Sequence, residues 1–287
     1  MNTITPFKTI TYATLNDLPL QADFYEAKGM LKHQTILYYH GGGLIYGSRS
    51  DLPDSYLSQF IHAGYHVLTV DYPLTPESSF EKMMTKVEAS LCWFLEDGLD
   101  DLPIKTTDYI LFGRSAGAYL ASYLTMKISL QKPSKLILLY GYYNLEDSAL
   151  TNKSDHYNKM IKIDSNVFNS LIQKNPISSG TVEKRYLMYL YLRQTGTWPF
   201  LREDLRRKYS ISADDFKDFP QTFLAYSLAD KDVPPTQSQE MASLIPSSQV
   251  FRVEGEKHDF DSDYTSPLAK ELYREIIKWL DQDPFGV

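Results

Sequence analysis

The 287-residue sequence predicts an α/β fold in which a mostly parallel sheet carries helices on both faces. Three observations support this prediction. Short apolar runs recur along the chain, helical patterns separate them, and most of the runs are continuously apolar rather than alternating. Continuous runs are typical of parallel strands that are covered on both faces. The predicted strands are 35–39, 66–70, 109–112, 135–140, 222–226 and 249–253.

Helical patterns lie between these runs, and the last one is the clearest. Ser266 can cap it, and Pro267 suits its first turn. Two more polar segments near the N-terminus, 9–13 and 20–25, predict an antiparallel edge that leads into the sheet. The predicted helices are 51–63, 79–96, 116–130, 236–244 and 267–281.

We interpret the chain as one domain, residues 1–287, that contains a long insertion at 144–219. An ordinary crossover between strands needs far fewer residues. The insert is rich in aromatic residues and has helical patterns at 164–174, 179–193 and 200–208. Because an insert at the carboxyl ends of parallel strands lies where such sheets bind ligands, we interpret it as a lid. The alternative is a helical excursion that packs on the body without a further role.

The composition argues against several classes of protein. A net charge of −7 disfavours a nucleic-acid partner, because phosphates require a basic surface. No apolar run reaches the roughly 18 residues that span a membrane, and the first residues lack the pattern of a signal peptide. The single cysteine, Cys92, excludes an intrachain disulfide and is interpreted as a packing residue. Together these observations favour a cytoplasmic protein.

The segment Gly113-Arg114-Ser115-Ala116-Gly117 follows a predicted strand and opens a predicted helix. A G-x-S-x-G nucleophile elbow requires this context. The turn is so sharp that side chains beside the serine would collide, which explains the two flanking glycines. We therefore predict that Ser115 is a nucleophile next to the positive end of a helix dipole. The alternative is a serine that merely starts a helix.

Three glycines follow the first parallel strand, in His40-Gly41-Gly42-Gly43. Consecutive glycines let the backbone bend so that its N–H groups point into a cavity. We predict that the N–H groups of Gly42, Gly43 and Ala116 form an oxyanion hole. A phosphate-binding loop is the alternative, but the sequence lacks the Lys-Ser/Thr and G-x-G-x-x-G patterns of such loops. His40 is interpreted as a brace for this loop.

A serine nucleophile needs a base, and the base needs an acid that orients it. The base should follow the last strand and precede the final helix, where His258 stands alone among six histidines. His156, in the insert, is kept as a candidate substrate contact, and the others are interpreted as structural. Asp230 is the first carboxylate after the preceding strand and is the predicted acid. Asp232 is its competitor, and either one could instead cap the next helix.

With these residues placed, the sequence resembles the hormone-sensitive-lipase-like branch of the α/β-hydrolases. The resemblance rests on the glycine loop 40–43, the following Tyr46-Gly47-Ser48, and the segment 71–77. That segment reads D-Y-P-L-T-P-E, which is similar to the D-Y-R-L-A-P-E of the family. The spacing from the glycine loop to the elbow is also similar. The resemblance covers most of residues 34–130 and resumes at 220–282.

Two features depart from that branch. Its members usually carry an N-terminal helical cap, whereas here the first strands begin almost at once. The insert alone would therefore serve as the lid. The elbow reads Ser115-Ala116-Gly117-Ala118, which is closer to the arylformamidases. The segment 230–234 resembles both these enzymes and the prolyl-oligopeptidase-like peptidases.

The resemblance implies a serine esterase that acts through an acyl-enzyme and needs neither a metal nor an organic cofactor. We expect small carboxylic esters with short acyl chains as substrates, because an aromatic lid makes a closed apolar pocket. Hydrolysis of amides or formamides is the first alternative. A non-catalytic ligand-binding protein on the same scaffold is the second. We expect no nucleic-acid or membrane partner, and a homodimer is left open.

Overall fold

The computed structural model describes residues 4–127, 131–199 and 201–282. Within these residues eight strands form one sheet. They are β1 (Lys8–Leu15), β2 (Leu18–Tyr25), β3 (Thr35–Tyr39), β4 (His66–Val70), β5 (Tyr109–Arg114), β6 (Lys135–Leu139), β7 (Gln221–Ser227) and β8 (Ser248–Val253). Their order across the sheet is β1-β2-β4-β3-β5-β6-β7-β8. The pairs β1–β2 and β2–β4 are antiparallel and the other neighbours are parallel, which confirms the predicted fold class and its antiparallel edge.

Helices cover both faces of the sheet and also make up most of the insert. On the sheet lie α1 (Asp54–His62), α2 (Phe80–Glu96), α3 (Gly98–Asp101), α4 (Ala116–Lys127), α10 (Pro235–Leu244) and α11 (Pro267–Leu280). In the insert lie α5 (Ser148–Thr151), α6 (Asp155–Asn158), α7 (Ser165–Leu171), α8 (Val182–Thr195) and α9 (Glu203–Tyr209), followed by a 3₁₀ turn over Asp215–Asp218. The last three residues of the helix predicted over 116–130 lie outside the described residues.

The sheet separates two hydrophobic cores. Along β3, Leu37 and Tyr39 face one core with α2, α4 and α10, whereas Ile36 and Tyr38 face the other with α1 and α11. Every residue of β3, β4 and β6 is buried, because both faces are covered. This burial explains why the sequence shows continuous apolar runs instead of alternation.

The last helix begins as the sequence predicts. The Ser266 hydroxyl accepts a hydrogen bond from the Ala269 N–H at 3.1 Å, and Pro267 occupies the first turn. At the other end of α11, the buried Lys135 ammonium of β6 donates to the carbonyl oxygens of Trp279 and Leu280. A cation at a helix C-terminus is favourable because the carbonyl groups there lack partners. This contact fixes α11 against the sheet.

The three helices predicted in the insert correspond to α7, α8 and α9, with bounds that differ by a few residues. Residue 200, where the third was expected to begin, lies outside the described residues. The single-turn helices α5 and α6 were not predicted, because one turn is too short to show a periodic pattern. No helix among residues 4–127, 131–199 and 201–282 has the length and apolar character needed to cross a membrane.

Candidate active site

Ser115 lies in the sharp turn between β5 and α4. Its φ angle is +53°, which lies in the left-handed region that residues other than glycine rarely adopt. The Ser115 N–H donates to the Leu139 carbonyl oxygen at 2.9 Å, which holds the turn against β6. A Cβ atom on Gly117 would lie 1.9 Å from the Tyr39 carbonyl oxygen, so only glycine fits there. The backbone conformation of this turn therefore fixes Ser115 at the carboxyl end of the sheet.

The side chains of Ser115, His258 and Asp230 form one hydrogen-bonded chain. His258 Nε2 lies 2.8 Å from Ser115 Oγ, and His258 Nδ1 lies 2.6 Å from Asp230 Oδ2. Asp230 is held in turn, because its Oδ1 accepts the N–H groups of Asp232 at 2.8 Å and Val233 at 3.1 Å. In this arrangement a neutral imidazole can take the serine proton while a carboxylate fixes the ring.

The structure also separates the two competing carboxylates. Asp232 Oδ2 lies 4.0 Å from His258 Nε2, the nitrogen that faces Ser115. Asp232 Oδ1 accepts a hydrogen bond from the Tyr189 hydroxyl at 2.6 Å. A carboxylate on this side cannot orient the imidazole through Nδ1. Of the two, Asp230 is in the position that an orienting acid requires.

The surroundings of His258 favour its protonated form. Burial lowers the pKa of His258, but the hydrogen bond and charge of Asp230 raise it more, and the charges of Asp232 and Asp259 add to this effect. The resulting pKa is about 9. In the free protein the imidazole therefore carries a proton at neutral pH, and the basic form is populated as the pH rises.

The glycine loop and the start of α4 supply backbone donors beside the serine. The carbonyl oxygen of Gly42 accepts the N–H groups of Ile45 and Tyr46, at 3.0 and 3.1 Å, so the loop turns back on itself. Ala116 is the first residue of α4, where an N–H group has no intrahelical partner. Within the described residues, no protein group accepts a hydrogen bond from the N–H of Gly42, Gly43 or Ala116. Donors in this state can hold an oxyanion.

His40 is buried and contacts Tyr72, which lies in the loop after β4. The two rings stack with centroids 4.2 Å apart and an interplanar angle of 13°. The Tyr72 hydroxyl donates to the His40 carbonyl oxygen at 2.8 Å, and His40 Nδ1 lies 2.9 Å from the Gly41 carbonyl oxygen. These contacts place His40 behind the glycine loop as the brace that the sequence predicts.

Sequence reasoning missed a buried ion pair behind the elbow. Arg114 donates to Asp261 Oδ1 at 2.8 Å and to the Tyr140 hydroxyl at 2.7 Å. The hydroxyls of Tyr140 and Tyr273 also donate to Asp261, and the Tyr140 ring packs edge-to-face on His258 at 4.8 Å. Burial alone would raise the pKa of Asp261, but Arg114 and these donors hold it below its usual value. The cluster ties the loop that carries His258 to the elbow.

A cavity of about 540 Å³ opens beside Ser115. One wall is the glycine loop, another is the pair of loops after β7 and β8, and a third comes from α6 and α8 of the insert. Across the three described stretches of chain, no group of three or more His, Cys, Asp and Glu side chains could hold a metal ion. The insert contributes His156, Tyr157, Val182, Tyr186 and Tyr189 to the cavity.

A buried arginine fastens helix α8 of the insert to the segments around the glycine loop. Arg185 donates to both carboxylate oxygens of Glu77, at 2.8 and 2.7 Å. The same guanidinium donates to the carbonyl oxygens of Ile45 at 2.5 Å and Thr75 at 2.9 Å. Arg185 and Glu77 side chains are only 4% and 0% exposed, so water does not compete for these bonds.

Two further contacts join the insert to the glycine loop and to the residues that follow it. Trp198 Nε1 donates to the Gly43 carbonyl oxygen at 2.9 Å. Gly47 and Gly180 exchange backbone hydrogen bonds of 2.7 and 3.0 Å. The insert therefore holds the segment that presents the candidate oxyanion donors, in addition to forming one wall of the cavity.

Comparison with known proteins identifies the family. A family model described as the alpha/beta hydrolase fold matches residues 36–262. The chain belongs to the α/β-hydrolase family. This match confirms the resemblance that the glycine loop and the elbow suggest.

Several known proteins are similar to this chain. A Staphylococcus aureus protein of unknown function is 27% identical with a TM-score of 0.86, and the match covers 96% of this chain and 98% of that one. An α/β-hydrolase superfamily protein from Enterococcus faecalis is also 27% identical, with a TM-score of 0.83 and the same coverage. An esterase from Pyrobaculum calidifontis shares the fold at 20% identity and a TM-score of 0.66, over 91% of this chain and 80% of that one.

One curated relative is a much longer protein. The non-reducing polyketide synthase adrD from Penicillium roqueforti is 31% identical over an alignment of 166 residues, and the match covers 53% of this chain and 7% of that protein. The chain therefore spans only a small part of the length of this relative.

We predict that Arg185→Met lowers the free energy of unfolding by about 3–5 kcal/mol, because it leaves the buried Glu77 carboxylate without its cation. Arg202→Met is the matched control, since the Arg202–Asp204 pair is exposed and screened by water, so its loss should change the free energy of unfolding far less. Urea denaturation of the two variants measures the difference. Equal losses would show that the buried pair does not hold the insert in place.

Proposed function

We propose that this protein hydrolyses small carboxylic esters with short acyl chains, and that Ser115 is its nucleophile. The hydrogen-bonded chain from Ser115 through His258 to Asp230 carries this proposal. Unpaired backbone donors beside the serine add to it, because acyl transfer builds negative charge on the carbonyl oxygen. An esterase from Pyrobaculum calidifontis has the same fold.

The proposed reaction has two halves. His258 Nε2 takes the proton of Ser115 Oγ as the oxygen attacks the carbonyl carbon, and Asp230 stabilises the imidazolium. The N–H groups of Gly42, Gly43 and Ala116 donate to the oxyanion of the tetrahedral intermediate. Nε2 then protonates the departing alkoxide, which leaves an acyl-enzyme. Water attacks this ester in the same way, releases the acid and restores the serine.

The proposed preference for short acyl chains follows from the cavity. Its volume is about 540 Å³, and charged and phenolic side chains form much of its lining. A long alkyl chain would have to desolvate these groups without replacing their hydrogen bonds. The contacts of Arg185 and Trp198 also keep the insert against the glycine loop.

Amide or formamide hydrolysis is the second candidate for the reaction. It is favoured by the elbow Ser115-Ala116-Gly117-Ala118, which resembles that of the arylformamidases. The same site could catalyse either reaction, because His258 can protonate a departing amine as well as a departing alkoxide. Turnover of p-nitrophenyl acetate, N-formylkynurenine and aminopeptidase-type anilides would separate the two candidates.

A fluorophosphonate probe tests the nucleophile directly. We expect it to label the folded protein once, at Ser115, and to leave Ser115→Ala unlabelled. Turnover of p-nitrophenyl acetate should fall by at least about 10³-fold in that variant. Ser243→Ala is the control, because Ser243 is an exposed serine on α10 and should leave labelling and turnover unchanged. An unlabelled wild-type protein would favour a non-catalytic binding protein.

The acyl-chain preference is tested with p-nitrophenyl acetate, butyrate, octanoate and decanoate. We expect kcat/KM to be highest for the acetate or butyrate and to fall by at least about 10-fold for the octanoate, because the longer chain would desolvate the charged and phenolic groups that line the cavity. The rates are measured below the critical micelle concentrations. A preference for the octanoate or decanoate would contradict the short-chain proposal.

The pKa of His258 sets the expected pH dependence. Because its value of about 9 lies above the ordinary value of 6.5, the imidazolium is favoured in the folded protein. The neutral base is needed for attack, so kcat/KM on a neutral ester should rise with pH through an inflection near 9. The stability that the imidazolium contributes is full below pH 6.5 and is lost as the pH rises through about 9. A kcat/KM that is flat between neutral pH and the inflection would contradict this assignment.

A further inference from the structure

The Asp232 carboxylate lines the cavity, and no Lys or Arg nitrogen of the described residues lies within ion-pair distance of it. Among the described residues, the only cationic nitrogen within 4.0 Å of it is His258 Nε2. The nearby Arg193 donates instead to the backbone carbonyl oxygen of Asp232, at 2.9 Å. Burial would raise the pKa of Asp232, but the charges of His258 and Arg193 outweigh it and keep the carboxylate ionised. A largely buried negative charge of this kind favours a cation in the adjacent space.

Four tyrosines, which we call the tyrosine wall, line the same cavity around Asp232. Tyr189 meets Tyr46 at 6.2 Å and Tyr157 at 5.8 Å, both at 89°, and Tyr46 meets Tyr186 at 6.5 Å. Burial raises the pKa of all four phenols and the Asp232 charge raises it further, which agrees with a carboxylate close to each ring. Aromatic rings attract cations through their π faces. The Arg193 guanidinium already lies over the rings of Tyr157 and Tyr189, at 5.5 and 6.0 Å. The other two rings of the wall and the carboxylate favour the same kind of ligand.

The cationic side chains that line the cavity already have partners. Arg114 is paired with Asp261 at 2.8 Å, and Lys231 lies 3.8 Å from Glu256 at the rim. The Lys257 ammonium donates to the Ser262 hydroxyl at 2.6 Å. None of these three groups lies within ion-pair distance of Asp232 in the described structure. When His258 is neutral, as the attack of Ser115 requires, a cation within ion-pair distance of Asp232 would have to come with the substrate.

The position of Asp232 places such a cation close to the reacting bond. Its Oδ2 lies 4.0 Å from His258 Nε2, which lies 2.8 Å from Ser115 Oγ. A group bound to the carboxylate would be attached only a few bonds from the carbonyl carbon that the serine attacks. This distance suits a short aminoacyl or amino-alcohol ester and excludes a charge at the end of a long chain.

We infer that Asp232 and the tyrosine wall bind a positively charged nitrogen, so that the preferred substrates are small esters that carry an ammonium group near the scissile carbonyl. This inference rests on the proposed function and adds to it the chemical class of the substrate. Water cleaves the ester into an acid and an alcohol, one of which keeps the ammonium group. Esters that carry a carboxylate in the same place are rejected by the charge of Asp232.

Isosteric pairs of esters test the inference, because the two members match in shape and differ in charge. An ammonium group also activates a nearby carbonyl, so each kcat/KM is divided by the rate constant for hydroxide-catalysed hydrolysis of the same ester before the members are compared. Acetylthiocholine is compared with 3,3-dimethylbutyl thioacetate, and glycine betaine ethyl ester with ethyl 3,3-dimethylbutanoate. The quaternary nitrogen keeps its charge at every pH, so titration of the substrate does not enter. For at least one pair we expect wild-type kcat/KM to favour the charged member by about 10-fold or more. Asp232→Asn should lower that ratio at least about 10-fold, which is the effect expected when one charge of a buried pair is lost.

Glu256→Gln is the matched control, because Glu256 also lines the cavity but is exposed and lies beside Lys231. It should leave the ratio unchanged. Equal kcat/KM for both members of both pairs in the wild type would overturn the inference and leave the proposed function intact. An equal loss on both members in Asp232→Asn would also overturn it, since Asp232 would then act only through His258. If the wild type hydrolyses no member of either pair, the proposed function and the inference are both wrong.

Discussion

The close approach of two backbone segments at Ser115 is the constraint on which the site depends. The turn from β5 into α4 passes so near the end of β3 that a Cβ atom on Gly117 would contact the Tyr39 carbonyl oxygen. A Cβ atom on Gly41 would lie 3.0 Å from the Arg114 carbonyl oxygen. The elbow and the glycine loop are therefore in contact through backbone atoms. Because no side chain separates them, N–H groups from both segments can surround the space next to the serine hydroxyl.

Two buried ion pairs fasten the other parts of the site to this centre. Arg114 and Asp261 connect the elbow to the loop that carries His258, and Arg185 and Glu77 connect the insert to the segments around the glycine loop. Burying a charge pair adds little net stability, because desolvation offsets much of the attraction. Its directional hydrogen bonds do restrict the geometry, however, since any other arrangement leaves a charge unpaired. These pairs thus add directional restraints to segments that also contribute residues to the hydrophobic cores.

The sheet and the insert contribute different properties to the cavity. Loops at the carboxyl ends of β3, β5, β7 and β8 supply the groups proposed for the chemistry, as is common for α/β sheets. The insert supplies three of the four residues in the tyrosine wall, and these surround Asp232. The residues proposed for catalysis and most of those proposed for substrate selectivity therefore lie on different parts of the chain. The proposed preference for an ammonium group depends on the contact between the two parts, in which the Tyr189 hydroxyl donates to Asp232.

The sequence by itself determined the fold class, the elbow, the glycine loop and the candidate base, because each depends on neighbouring residues and on the order of strands and helices. The hydrogen-bonded strand, turn and helix around Ser115 are a local pattern of this kind. Only the tertiary structure showed that Asp230 and Asp232, which follow the same strand, approach different nitrogens of the His258 imidazole. The pairing of Arg114 with Asp261 was likewise invisible in the sequence. Contacts between side chains that are distant in the sequence depend on how the helices and strands pack, and a local sequence pattern does not specify that packing.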